Sequence, residues 1–253
     1  MGHAFLGGLL RSGWAAPGEL GVVEPLATAR EELVKRYPGI VVSERGIPAE
    51  AAVLAVKPPD AEAACRTVSE SGCRRVVSIA AGVTLAQLDQ WLADGIIALR
   101  AMPNTPAVLG AGASALAAGE SVSESDLEWA ESVLSSLGVV ARLPEYQLDA
   151  VTALSGSGPA YVFLLAEALV EAGVNEGRDA EVSRLFTVET LLGSARLLAE
   201  TGESPELLRA AVTSPGGTTA AALQVFETRG FRVTVLEAVA AAAARSRELG
   251  RKG

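Results

Sequence analysis

At Pro144 the chain changes its hydrophobic period, and the change divides the fold in two. Before it, short aliphatic and β-branched runs alternate with amphipathic stretches of helical spacing. The runs fall at residues 20–23, 40–42, 52–56, 76–79, 97–101, 113–117 and 139–143, and the helical stretches at 2–12, 26–36, 61–69, 85–92 and 124–137. Strands that alternate with helices pair in parallel and are covered on both faces, so residues 1–144 are expected to form an α/β domain around a largely parallel sheet. After Pro144 the strand signal stops. Alanine- and leucine-rich stretches predict helices over 180–201, 205–212, 219–228 and 232–249, preceded by one that opens at Ser157-Gly158-Pro159 and stops at Gly173. Residues 145–253 are therefore expected to form an all-α domain. Tyr161, Leu164, Leu165, Ala168, Leu169 and Ala172 make one apolar stripe, expected as helix core. The unbroken alanines at 240–244 suit a tight bundle or a subunit interface.

Composition removes several classes of function. With 253 residues, 49% of them hydrophobic, the chain can fill two ordinary cores. A net charge of −9 and no clustered Lys and Arg argue against nucleic-acid binding, which requires phosphate neutralisation. Cys65 and Cys73 are too few for a disulfide framework or a four-cysteine zinc site, and a reducing cytoplasm is the expected compartment. The first residues lack the basic region of a secretory signal, and no run is read as reaching membrane-spanning length. The only histidine is His3, so histidine triads and zinc centres are excluded and no metal site is expected. An enzyme built this way leaves the difficult step to a bound cofactor, which favours redox chemistry.

Five segments could carry that chemistry. Gly2 enters the first helix, and the run 20–23 ends at Glu24; in a doubly wound dinucleotide fold a helix start meets the pyrophosphate and an acid after the second strand meets the adenosine ribose. Lys57 follows the run 52–56 and is itself followed by two prolines, at a strand's carboxyl end where ligands of such sheets bind. Met102-Pro103-Asn104-Thr105 ends the run 97–101 in a proline-stiffened loop with two hydrogen-bonding side chains. Ser155-Gly156-Ser157-Gly158-Pro159 reads as a helix-capping turn. Ser214-Pro215-Gly216-Gly217-Thr218-Thr219 precedes a helix, exposes backbone N–H groups and is uncharged, so it suits a small carboxylate, although by spacing alone it serves equally as an elaborate cap.

Taken in order, AVKP at Ala55, AAGVT at Ala80, AMPNTP at Ala101, LDAVTALSGSGPAY at Leu148 and TSPGGTTAAAL at Thr213 resemble the pyrroline-5-carboxylate reductases, with ETRGF at Glu227 and RSREL at Arg245 extending the likeness across nearly the whole chain. The resemblance implies a Rossmann-like cofactor domain over 1–144 and a helical substrate-binding and dimerisation domain over 145–253. It implies reduction of 1-pyrroline-5-carboxylate to L-proline with NADP(H), or possibly NAD(H), in a homodimer or larger homo-oligomer. Ala55 and Lys57 would lie along the cofactor, with Gly2 and Glu24 at its pyrophosphate and ribose. Met102, Pro103, Asn104 and Thr105 would frame its nicotinamide. The substrate carboxylate would sit on the backbone of Gly216, Gly217 and Thr218 beside Ser214, and Thr219 would act on the imine nitrogen.

Two departures stand out. The family's first strand and complete glycine loop have no counterpart before Met1, and the absence of a central strand is expected to leave neighbouring strand edges unpaired, so a longer natural protein is expected. Glu24 favours the hydroxyl of NAD over the phosphate of NADP, while Arg30 could compensate. The competing readings are a related two-domain hydroxyacid or imine dehydrogenase and a non-catalytic oligomeric scaffold.

Overall fold

A computed structural model of the chain describes residues 1–252, with side chains as far as Gly250. Contacts gather into two compact units: Met1–Ser157 together with the end of the last helix from Ala241, and Gly158–Ala240. The change of pattern at Pro144 thus precedes the boundary between units. The reason is local, because Leu148, only 1% exposed, packs on Ala115 and Ala117 of the sheet and keeps the start of the helical half with the first unit.

In the first unit, helix α1 (Gly2–Arg11) leads to β1 (Gly21–Val23), α2 (Ala27–Arg36) and β2 (Val41–Ser43). Then come β3 (Ala51–Leu54), α3 (Ala61–Glu70), β4 (Arg75–Ser78), α4 (Leu85–Trp91) and β5 (Ile97–Met102). The unit's last strands and helices are β6 (Gly112–Ala118), α5 (Glu124–Ser135), β7 (Gly138–Arg142) and the short α6 (Leu148–Val151). All seven predicted strands form. They make two sheets, a parallel pair β1-β2 and a five-stranded sheet in the order β3-β4-β5-β6-β7. No ladder joins β1 to β3 among the described residues, so each keeps an unpaired edge.

The expectation of a largely parallel sheet needs one correction. Strand β6 runs antiparallel to β5, pairing Leu99 with Ala118 and Met102 with Ala115. A parallel return needs a crossover of a dozen or more residues, usually a helix. Here β5 is followed by a short turn at Thr105–Leu109, closed by Gly110 in the left-handed region (φ 75°), and the chain re-enters the sheet at once. Strand β7 returns to the parallel sense after the full helix α5.

Alternation along the strands divides the core between two faces. Val77, Leu99 and Leu116 meet Ala4, Phe5 and Leu9 of α1 and Ala130, Val133 and Leu134 of α5. Their neighbours Val76 and Ala98 face the other way, onto Cys65 of α3 and Leu88 of α4. Leu88 and Leu99 are fully buried, and each such leucine contributes about 1.5–3 kcal/mol of transfer free energy.

The second unit holds α7 (Gly158–Asn175), α8 (Ala180–Thr201), α9 (Pro205–Ala211), α10 (Thr218–Thr228) and the first part of α11 (Phe231–Lys252). Gly173 does not stop its helix. A side chain there would meet Ser183 Oγ at 2.7 Å, so the glycine admits α8 against α7, and the chain leaves the helix after Asn175, with Gly177 at φ 84°. The apolar stripe of α7 is also not core. No residue of α7 is buried in the single chain; Leu164 is 66% exposed, and Phe163, Leu185 and Phe186 are exposed with it. Helical periodicity reveals an apolar face but not what covers it. The helical run Glu145–Asn175 is, by length and composition, apolar enough to cross a membrane, which corrects the reading that no run reaches that length. A core helix of a soluble protein passes the same test, and here the exposed face calls for a cover.

Candidate functional site

The carboxyl ends of β1, β3 and β5 carry the residues expected at a cofactor. Gly2 opens α1 directly beside β3, since a Cβ on it would lie 3.8 Å from that of Ala55. No side chain caps α1, which leaves its first N–H groups for an anion. Lys57 is exposed at the start of the turn Pro58–Asp60, and its ammonium has no partner among the described residues. Glu24 closes β1, donating its N–H to Ser43 O at 2.9 Å. One oxygen of its carboxylate accepts from Leu26 N–H at 2.9 Å.

The loop after β5 is held from within. Pro103 is buried, and Asn104 Oδ1 accepts from Ala113 N–H at 2.9 Å, tying the loop to the first residues of β6. Thr105 stays exposed. Gly156 stands against this loop, because a side chain there would meet Met102 Cε at 2.7 Å. Of the segment read from sequence as a capping turn, Ser155 and Gly156 end a π-helical turn, Thr152–Gly156, that continues α6, and Ser157 bends the chain into α7 at Gly158. Such turns recur at functional sites. Ser155, read from sequence only as part of a capping turn, lies in it with its Oγ buried and without a hydrogen-bond partner among the described residues. The SGSG run was the visible signal; its two glycines suggested a cap because a π turn has no sequence signature of its own.

Below the loop, Glu145 accepts from Leu85 N–H at 2.7 Å and from Arg100 Nη1 at 3.0 Å. The Arg100 side chain is 10% exposed, so its charge is matched inside the protein. This bridge holds β5, the start of α4 and the entry to the helical half in one register. Two hollows of about 480 and 210 Å³ lie in the same unit, and neither is lined by residues 55–57 or 102–105.

The second unit builds the Ser214–Thr219 segment by itself. Gly217 N–H donates to Ser214 O at 3.0 Å, closing a four-residue turn with Pro215 and Gly216 at its corners. Gly216 takes φ 69°, the left-handed value that the third position of a type II turn requires. Gly217 is the N-cap of α10 and supplies no side-chain hydrogen bond, so the amides of Thr218, Thr219 and Ala220 are left for a ligand. The N–H of Gly217 is already used in the turn. Of the backbone expected to grip an anion over Gly216 to Thr218, the Thr218 N–H lies in the uncapped first turn of α10.

The donor set of the first unit fits a dinucleotide: an uncapped helix start beside β3, a lysine and a rigid polar loop at strand ends, and an acid after β1. Cys65 and Cys73 are both unpaired and buried, and among the described residues no three His, Cys, Asp or Glu side chains gather as a metal site.

Comparison with known proteins agrees with this layout. The family model for pyrroline-5-carboxylate reductase dimerisation matches residues 145–249. The chain is 42% identical to a pyrroline-5-carboxylate reductase of Synechocystis over 100% of its length and 96% of the relative's. To the reductase of Mycobacterium tuberculosis it is also 42% identical, over 98% of this chain and 93% of that one. Among solved structures, the pyrroline-5-carboxylate reductase of Coxiella burnetii superposes with a TM-score of 0.89 at 36% identity, covering 98% of this chain and 93% of that one. The Plasmodium falciparum pyrroline carboxylate reductase, solved with NADP bound, gives 0.86 at 27% identity, covering 99% of this chain and 94% of that one.

Proposed function

This chain belongs to the pyrroline-5-carboxylate reductase family, and from that membership we propose how its residues divide the reaction. It reduces 1-pyrroline-5-carboxylate to L-proline, the last step of proline biosynthesis, with NAD(P)H as cofactor. The cofactor supplies the hydride. The observation that carries the residue assignment is the tight turn Ser214–Gly217 presenting an uncapped helix start.

At that turn the free amides of α10, with the Ser214 hydroxyl, hold the substrate carboxylate, and the positive end of the helix favours its charge. Thr219, on the first turn of the same helix, hydrogen-bonds the ring nitrogen. The imine carbon is already electrophilic, so positioning plus a polar group at the nitrogen suffices: a C–H bond forms, the C=N bond becomes single and the nitrogen takes a proton. In the first unit, Gly2 and the start of α1 hold the pyrophosphate, Ala55 and Lys57 line the cofactor, and Met102 to Thr105 frame the nicotinamide. The protein is a homo-oligomer. We assign its assembly to the exposed face of α7 and α8, and its free thiols suit the cytoplasm.

The test is oxidation of NADH or NADPH on adding synthetic pyrroline-5-carboxylate, with proline identified as product. Turnover of a hydroxyacid or an acyclic imine, but not of the ring imine, would favour the related dehydrogenase over this reading.

A further inference from the structure

The segment that follows β1 reads Glu24-Pro25-Leu26-Ala27-Thr28-Ala29-Arg30 and fixes a charge at the site where the adenosine ribose of a bound dinucleotide lies. The Glu24 backbone is locked to β2 through Ser43 O, and its carboxylate is oriented by Leu26 N–H. It takes part in no ion pair among the described residues. With one acceptor site used by Leu26 N–H, the carboxylate keeps its remaining acceptor sites.

A 2′-phosphate needs a cation in the same place, and Arg30, the first cation after Glu24 in the sequence, is engaged. Pro25, Leu26 and Ala27 offer no side-chain donor. Arg30 folds back under the loop: its Nη1 donates to Glu24 O at 2.8 Å and to Pro25 O at 2.7 Å, and its Nη2 meets Glu44 Oε2 at 3.4 Å. The Arg30 side chain is only 23% exposed. Arg45, beyond β2, is 89% exposed with its Nε 3.8 Å from Glu44, so Glu44 draws on both arginines.

We propose that Glu24, with the Arg30 guanidinium tied to the loop carbonyls and Glu44, makes this chain select NADH over NADPH. The carboxylate accepts hydrogen bonds from the ribose hydroxyls of NADH and repels the 2′-phosphate of NADPH. This inference rests on the assignment of the first unit as the NAD(P)H-binding unit.

Isothermal titration of the purified protein with each reduced nucleotide, without substrate, reads the selection directly. NADH is expected to bind about ten- to a hundredfold more tightly, the range for one unfavourable like-charge contact. Glu24→Gln narrows the ratio by weakening NADH and strengthening NADPH. Glu44→Gln removes the ion pair on Arg30 Nη2 while leaving its two carbonyl bonds, and is expected to strengthen NADPH alone. Raising ionic strength shrinks the wild-type ratio, because the repulsion is screened. Equal or tighter binding of NADPH by the wild-type protein overturns the proposal, as does a ratio unmoved by Glu24→Gln in a variant with unchanged circular dichroism. Binding of neither nucleotide overturns it together with the assignment on which it rests, whereas NADPH-selective binding leaves that assignment standing.

Discussion

A methyl group on Gly217 would lie 2.3 Å from Ser214 Oγ, so the hydroxyl of Ser214 and the bare Cα of Gly217 are mutually fitted across the turn before α10. The Gly217 N–H to Ser214 O bond locks the same pair. Gly217→Ala is therefore expected to open the turn, raising KM for the imine by about ten- to a hundredfold, the effect of losing one or two hydrogen bonds to a charged group. NADH affinity, which we assign to the first unit, is expected to stay within about twofold. The double variant Ser214→Ala with Gly217→Ala has no hydroxyl to clash, keeps only the 3.2 Å approach to the Ser214 carbonyl, and should be less impaired than Gly217→Ala. A double variant as impaired as Gly217→Ala would break the argument.

Thr219 lies one residue into the same helix, and its proposed role at the imine nitrogen allows binding to be told from chemistry. Thr219→Val keeps the shape and removes the hydroxyl. Turnover should fall by about one to three orders of magnitude, the range for removing a polar transition-state contact, while the Kd for the nicotinamide nucleotide is nearly unchanged. Unchanged kcat at saturating imine would take Thr219 out of the mechanism.

The limits of the sequence reading have physical causes. All seven strands were visible because short aliphatic and β-branched runs favour the extended backbone even where, as in β1, β2 and β7, no residue is buried. The sense of β6 was not, since it depends on the link from Met102 to Gly112 being too short for a crossover helix. Gly173 looked like a stop because glycine is the commonest terminator, and only the neighbouring Ser183 reveals it as a crossing point. The apolar stripe of α7 was legible as a face, whereas its exposure was not, because the same periodicity serves a core and an interface. At the candidate site, residue types were readable from the motifs. The commitment of Gly217 N–H to its own turn, of Asn104 Oδ1 to Ala113 and of Arg30 to the loop carbonyls required coordinates.

Glu145 carries the register between β5, α4 and the helical half, so its removal should be read in stability. Glu145→Ala strands the guanidinium of Arg100, at 10% exposure, and frees the Leu85 N–H. Breaking a fully buried pair costs about 3–5 kcal/mol, and because Glu145 is itself 31% exposed a loss of about 1–3 kcal/mol is expected. Differential scanning fluorimetry should show a Tm lower by about 2–12 °C. The pair variant Arg100→Met with Glu145→Leu should recover part of the loss. No change in Tm for Glu145→Ala would mean that the bridge is incidental.

The two thiols give a chemical check on the first unit's core. Burial, with a smaller contribution from Glu62, pushes the Cys65 thiol up to about 11, and burial alone raises Cys73. Both are protonated at neutral pH, and a thiolate is the reactive form. In native protein at pH 8, neither should react with a disulfide reagent on the timescale of seconds, and both should react at once in denaturant. The linkage has a definite sign: a raised folded-state value stabilises the fold below the unfolded thiol's pKa, and this stabilisation is lost as pH rises through the window from about 9 to about 11. Rapid native labelling of Cys65 would contradict its place between α3 and the sheet.

Assembly is the remaining consequence of an uncovered apolar face. Phe163, Leu164, Leu185 and Phe186 on α7 and α8 are each more than half exposed in the single chain. Apolar surface on this scale favours a cover, and the match of residues 145–249 to a dimerisation family supports our assignment of a second copy to this face. Introducing charge at two of these positions, Phe163→Glu with Phe186→Glu, forces desolvation of carboxylates if the face is paired. Light scattering at micromolar concentration should then show the wild-type oligomer fall to the mass of one chain, with NADH binding by the first unit preserved. An unchanged oligomeric mass would move the interface to another face of the helical unit. Loss of NADH binding together with mass would show instead that the helical unit supports the fold of the first.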